Sequence, residues 1–415
     1  MKQYRLTFKT ITPVMIGEHR TTQNSQSLDY IPGATLLGGL AYAYLRQKKL
    51  SPEQKDASFD RFFLEDQVRI GNFYPANFSS FLSLDVPVKP LPTTARSCKR
   101  WEGFKYQAQE ECHGVVDHLI FWSLFKLSGN LNIFNEKNRY CQDCQRERID
   151  VFHGFYRRYG PGQYKRADVN TRLVMGTGIN RLTGTVEEEI LFSREVIAEA
   201  GPDGEAQVFQ GRIALDESVE QDFLDFLTSP TLHLRIGQAK TRGLGRLQLE
   251  SPGQGRKPVP PISLKDFKDR LTQFDDAVKT QAKVYGFSLD DSFWFAVTCC
   301  SDAIIRANDL RYKTSLTAND MATQLKVGEN DIQFVYHDAS VVKIRGWNTL
   351  WRLPKTVELA ISKGSVFMFT YTKTPDDPFF QALYDLEQEG IGSRKAEGFG
   401  WIVISDEFHQ EVTQI

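Results

Sequence analysis

The chain has 415 residues, 41% of them hydrophobic and 12% aromatic, which is ample for two or three ordinary globular cores. Its 51 Lys and Arg stand against 52 Asp and Glu, a formal net charge of -1, so overall basicity cannot drive polyanion binding and any such site must be local. No stretch approaches the ~20 apolar residues of a membrane span and the start shows no apolar signal region, so the expectation is a cytoplasmic protein with no membrane contact, its six cysteines reduced or metal-bound.

In chain order, the alternation over residues 3–11 predicts a strand. A polar loop over 17–29 follows, carrying Glu18, His19 and Asp29, and Tyr30-Ile31-Pro32-Gly33 then opens a helix expected over 34–47. The same unit closes much later, with a short helix near 222–227, a strand near 232–236, a glycine loop and a strand to about 250. A large insertion, at about 90–170, must lie between. Residues 251–261, rich in Gly and Pro, read as a linker, and 263–283 as a charged helix. A second unit then begins with a strand over 293–299 and ends with a helix over 379–388, a second glycine loop and a strand to 405. Cys299 and Cys300 are adjacent in that first strand, point to opposite faces and read as packing residues.

The two glycine loops share one spacing. Gly237-Gln-Ala-Lys240-Thr-Arg242-Gly243-Leu-Gly245 and Gly392-Ser-Arg394-Lys395-Ala-Glu-Gly398-Phe-Gly400 each follow an isoleucine, place a lysine three residues after the first glycine and run into an alternating strand. They mark an internal duplication. Bare glycine backbone admits close approach of a ligand and lysine adds a point charge, so the pair reads as a polyanion cradle used twice, with Arg242 and Arg394 as further cations. Neither loop fits the GxxxxGK[ST] pattern or a GxGxxG opening a helix, because each leads into a strand. A strand-first, helix, glycine-loop, strand-last order in both halves is met most simply by α+β domains of the ferredoxin-like or RRM-like βαββαβ type.

Inside the insertion, Cys141-Gln-Asp-Cys144 has the gap that lets two thiolates occupy adjacent corners of a zinc tetrahedron, with Cys98, Cys112 and His113 upstream for the remaining corners. Four protein ligands would leave no open position, so the metal reads as structural. Just beyond, Tyr156, Arg157, Arg158, Lys165 and Arg166, with Phe155, Tyr159, Tyr164 and Arg172, interleave aromatics and cations as a sequence-tolerant RNA-binding arm would.

With the Tyr-Ile-Pro-Gly segment and the paired loops, the chain resembles the RAMP superfamily of CRISPR-associated RNA-binding proteins. Gly346-Trp347-Asn348, Leu353-Pro354-Lys355, Gly364-Ser365-Val366-Phe367 and His113-Gly-Val-Val-Asp117 resemble the Cas-five-like subunit of type III-D effector complexes, which fuses two RAMP domains; Met175-Gly-Thr-Gly-Ile179-Asn-Arg181-Leu-Thr-Gly184 resembles a segment of the type III backbone subunits. The resemblance implies an N-terminal RAMP domain over 1–250 with the zinc-bearing insertion, a linker and helix over 251–285, and a C-terminal RAMP domain over 286–415. It implies Cys98, His113, Cys141 and Cys144 as the zinc set, with Cys112 as the competing ligand. It also implies a non-catalytic subunit for antiviral defence that holds the 5′ repeat handle of the crRNA and docks backbone RAMP subunits and the large subunit, with target RNA nearby.

The nearest enzymatic alternative is a metal-independent RAMP endoribonuclease using His19 as general acid or base. Backbone subunits that cleave target RNA use an acid in the same loop, but Asp29 does not match that position, and no cleavage is carried over to Glu18 or Asp29. A third alternative is a bridging zinc scaffold that presents aromatic residues near Trp347, Trp351 and Phe367 to other proteins.

Overall fold

The computed structural model describes residues 1–20, 24–51, 53–54, 56–76, 86–105, 112–129, 140–179, 186–250, 256–260, 262–286, 288–348 and 353–412. The architecture is mixed α+β and divides into two compact units. One comprises Met1–Val88, Ala167–Pro260 and Ala396–Gly398; the other comprises Lys89–Arg166, Pro261–Lys395 and Phe399–Ile415.

The first unit is built on the strand Lys2–Thr10, which pairs antiparallel with Val208–Leu215, itself paired with Val68–Pro75. On its other edge lie Arg256–Val259 and Arg246–Leu249, the latter joined to Leu234–Arg235. Alternation puts Leu6 with Phe8 and Phe209 with Ile213 on one face, and the register shift opposite Gly211–Ile213 brings Phe73 and Ile70, three residues apart, into the same core; the helices Gly33–Lys48 and Glu220–Thr228 cover it with Leu36, Leu40, Phe223 and Leu227. Tyr44 anchors the outer layer, with the rings of Phe59, Phe62, Phe63 and Phe226 at centroid distances of 5.3 to 6.1 Å. The helix after Tyr30-Ile31-Pro32 starts where expected because Pro32 is already extended and supplies the first acceptors, and it stops at Lys49, which turns left-handed at φ 55°. Residues 17–29 are less of a loop than expected: Gly17–Arg20 and Asn24–Ser27 pair with each other, and the second joins the long hairpin of Thr171–Ile179 and Val186–Ile197. Residues 180–184 of the Met175 to Gly184 segment, and 251–255 of the linker, lie outside the described residues.

The sheet of the second unit runs Ile332–Asp338, Val366–Tyr371, Phe293–Cys299, Ile402–Ile404, all antiparallel. Phe293, Phe295 and Val297 face a core shared with the helices Ala318–Leu325 and Asp377–Glu389. Trp294 and Ala296 face a second core with Val366 and Met368, and the helix Leu264–Val284 contributes Phe267 and Leu271 to the first core and Phe274 and Val278 to the second. A sheet covered on both faces buries every residue of its central strand, and all seven from Phe293 to Cys299 are buried. Cys299 is the last residue of that strand and Cys300 lies just past it.

The second face also corrects the expected domain map. The stretch at about 90–170, expected as an insertion carried by the first domain, falls with the second unit as Lys89–Arg166. The physical cause is the helix Leu119–Ser128, whose Leu119, Ile120 and Leu124 fill the core against Trp294 and Met368.

The segment after Ile404 is tied to this stretch by buried polar groups. His409, fully buried, sits between Asp117 (Nδ1 to Oδ2, 2.7 Å) and Thr298 (Nε2 to Oγ1, 2.8 Å). Glu411 accepts from Arg158 Nε at 2.9 Å and Tyr164 Oη at 2.6 Å. Asp406 accepts from Lys89 Nζ at 2.6 Å and from the Phe408 N–H at 3.0 Å. Burial works to raise the Asp406 pKa, but the Lys89 ammonium, His409 and these hydrogen bonds outweigh it and hold the carboxyl well below the usual carboxylate range. A depressed folded pKa contributes stability that is present above the unfolded value near ~4 and is lost as pH falls through the folded one. Urea midpoints should therefore fall steeply below about pH 4, and Asp406→Asn, at lower overall stability, should flatten that acid limb; an unchanged limb would assign it to other carboxylates.

Candidate functional site

The glycine loops superpose hydrogen bond by hydrogen bond. In the first, the N–H groups of Gln238, Gly245 and Ile236 donate to the carbonyls of Met15, Pro13 and Gly245 at 2.8, 2.7 and 2.9 Å. In the second, those of Ser393, Gly400 and Ile391 donate to Ile304, Asp302 and Gly400 at 2.9, 2.9 and 2.8 Å. Short 3-10 turns, Lys240–Arg242 and Lys395–Glu397, occupy the same place in each, preceded by Ala239 and Arg394 at φ 53° and 58°. The closing glycines carry the constraint. A Cβ on Gly245 would stand 2.0 Å from the Ile236 carbonyl oxygen, and one on Gly400 1.8 Å from that of Ile391, both at positive φ. Gly237 and Gly392 pack as closely, on the carbonyls of Met15 and Ile304.

Their electrostatics differ. Around the first loop Arg235, Arg242 and Arg246 are exposed, and Lys240 Nζ lies 5.5 Å from the ring centre of the exposed Tyr42. Arg235 and Arg246 are direct cross-strand partners, a like-charge pair that costs stability unless an anion relieves it. Arg235 donates to the Lys240 carbonyl at 2.9 Å, and among the described residues no carboxylate forms an ion pair with any of these four cations. Gly243 faces open space. In the second loop Lys395 Nζ is 3.1 Å from Glu389, Arg394 is paired with Glu358 and lies over the Phe399 ring, and Gly398 is buried. The backbone duplicates, but only the first loop shows uncompensated positive charge. Sequence reasoning missed Arg235, Arg246 and Tyr42; the signal available was that the two arginines bracket the loop, two residues before Gly237 and one after Gly245.

The aromatic and basic arm is corrected in part. Tyr156 and Arg157 are buried, as is Tyr164, so they do not offer faces or charge to a ligand. Tyr156 packs on Phe408 at 4.8 Å, and burial pushes its phenol well above the ordinary value. Phe155–Gly160 and Gln163–Ala167 form a hairpin, with Arg158 held by Glu411 and Arg166 3.3 Å from Glu102; Lys165 is half-buried on the second strand. Hydrophobic collapse around Phe152 and Phe408 outcompeted exposure of the aromatics.

The Cys98, His113, Cys141, Cys144 set is brought together, its ligand atoms all within 4.8 Å of one another. Cys98 ends the strand Ala95–Cys98, and Cys141–Cys144 sit in a tight turn closed by Gln145 N–H on the Cys141 carbonyl and by Gln145 at φ 52°. His113 Nδ1 lies 3.3 Å from Cys141 Sγ. Tetrahedral bonds of ~2.3 Å to sulfur separate ligands by about 3.8 Å, so the cluster is near that size. The backbone N–H groups of Arg146 and Glu147 pull the Cys144 thiol down to about 6, whereas burial pushes Cys141 up to about 11. Cys112 instead directs its thiol to the Glu102 carbonyl at 3.3 Å, outside the cluster. Three soft thiol donors and one imidazole suit a soft or borderline divalent metal.

His19 is placed on the strand Gly17–Arg20; its side chain and that of Glu18 lie outside the described residues, and Asp29 is exposed.

The chain belongs to the RAMP superfamily, whose family model matches residues 7–248. Among solved structures it is similar to a chain of the type III-B Cmr-beta complex bound to cognate target RNA and AMPPnP, at 13% identity and TM-score 0.41, covering 96% of this chain and 94% of that one. It is also similar to a chain of the same complex bound to cognate target RNA, at 15% identity and TM-score 0.41, covering 96% and 95%. The curated proteins contain no match.

Proposed function

We propose that this chain is the crRNA-binding, Cas-five-like subunit of a type III CRISPR effector complex of the III-D kind, holding the 5′ repeat handle and docking backbone subunits and the large subunit in antiviral defence. Its RAMP membership supports an RNA-binding role, and the strand orders support two ferredoxin-like domains: in each sheet the four strands of a βαββαβ unit lie in the order fourth, first, third, second. One observation carries the RNA reading. The first glycine loop gathers Arg235, Lys240, Arg242 and Arg246 with no ion-paired carboxylate among the described residues, a built demand for phosphate. The four-ligand cluster is read as a structural zinc centre. No catalytic step is assigned to the chain.

The test is titration of a fluorescent repeat-derived RNA over a series of salt concentrations. Lys240→Ala and Arg242→Ala should each lower the log-log salt slope by about one and weaken binding without changing base preference. Arg394→Ala and Lys395→Ala should leave the slope unchanged, because their charges are already met within the protein. Wild-type slopes in both first-loop variants would reduce that loop to a turn. Cleavage of the same RNA without metal, abolished by His19→Ala, would replace this reading with the nuclease.

A further inference from the structure

Residues 341–348 and 353–361 pair antiparallel as an element that none of these roles uses. Val341–Ile344 pairs with Glu358–Ile361, Trp347–Asn348 with Leu353–Pro354, and the Lys355 N–H donates to the Gly346 carbonyl at 2.8 Å between the two ladders. Val341 and Lys343 share one face of the first ladder, Arg345 follows in the break between the ladders and Trp347 opens the second, and all four are exposed, Trp347 at 60%. An indole this exposed beside exposed cations offers a flat apolar face to a ligand.

Charge decides which occupant. From 341 to 357 the sequence holds Lys343, Arg345, Arg352 and Lys355 and no acid, Arg352 lying outside the described residues. The first acid reached is Glu358, and it is taken by Arg306 and Arg394. Among the described residues no carboxylate pairs with Lys343 or Arg345. A face of apolar residues alone would fit another protein, and exposed Leu353 and Val357 would suit that. Cations at every second position leading to an indole fit a polyanion with flat unpaired bases. Side chains two apart on a strand are ~6.8 Å apart, a spacing suited to successive phosphates of an extended chain.

We propose that this element is a single-stranded RNA contact of the second unit, Trp347 stacking on an unpaired base while Lys343 and Arg345 meet the adjoining phosphates. The inference rests on the reading that the chain binds RNA, and it adds a site on an element separate from the first glycine loop. It is tested on the full chain by fluorescence anisotropy with a labelled single-stranded oligo(U). Trp347→Ala should weaken binding about 5- to 100-fold, with Trp347→Phe retaining most of the affinity. Lys343→Ala should lower the salt slope by about one. Urea midpoints should not move, since all these side chains are exposed. If Trp347→Ala and Lys343→Ala bind like wild type while Lys240→Ala binds more weakly, this contact is overturned and the RNA reading stands. A wild-type chain that binds no RNA overturns both. Loss of co-purifying subunits in Trp347→Ala at unchanged RNA affinity overturns the contact in favour of a protein-docking element.

Discussion

Gly400→Ala is expected to destabilise the second unit by about 2–5 kcal/mol, and Gly245→Ala the first by a similar amount, read as lowered urea midpoints. Two effects add. Alanine at positive φ costs about 1–2 kcal/mol, and the new methyl meets a carbonyl oxygen that belongs to backbone and cannot rotate aside, which adds the ~1–3 kcal/mol of an overpacked site. The distances of 1.8 and 2.0 Å are far inside contact. Gly243→Ala is the matched control: its φ is 89° but a Cβ there meets nothing within 4 Å, so only the conformational cost of about 1–2 kcal/mol should appear. If all three variants lose the same stability, the backbone contact is not what fixes these glycines.

A larger loss is expected at the four-ligand cluster. Under the zinc reading, purified protein carries about one equivalent of zinc, and a structural site of this kind contributes roughly 10 kcal/mol of apparent folding free energy to the segment it orders. Chelation should melt the surroundings of Cys98 and Cys141 well before the sheet of the second unit, which has its own apolar cores. The double variant Cys141→Ser, Cys144→Ser should lose the metal by elemental analysis, while Cys112→Ser should keep it because that thiol faces the Glu102 carbonyl. Protein prepared without chelator that contains no zinc, or full occupancy in the double variant, would dismiss the centre.

Residues acting through local rules were legible in the sequence. The helix opened by Pro32, the strand Phe293–Cys299 and the paired glycine turns follow from periodicity, proline and the need for positive φ. The cluster's ligands were legible because CxxC spacing is a local constraint, although only the fold separates Cys98 from Cys112. What was not legible is settled over long stretches of chain. Whether Tyr156 stacks on a ligand or sinks into a core depends on Phe408, and whether Arg394 is available depends on Glu358, 36 residues earlier. The assignment of residues 89–166 to the second unit likewise depends on Leu119, Ile120 and Leu124 finding Trp294, which no window of sequence contains.

The tie between Glu411 and Arg158 spans 253 residues, and this sets a timetable for synthesis. At about 5–20 residues per second, roughly 10–50 s pass between the emergence of the two partners from the ribosome. During that wait Lys89, Asp117 and Arg158 lack their eventual partners, and the apolar side of Tyr156 lacks Phe408. The nascent chain should therefore engage chaperones at this stretch and release them only when the segment from Asp406 to Glu411 arrives, so ribosome-stalled chains ending just before residue 406 should be far more protease-sensitive between 89 and 166 than chains extended past 411 by the length of the exit tunnel.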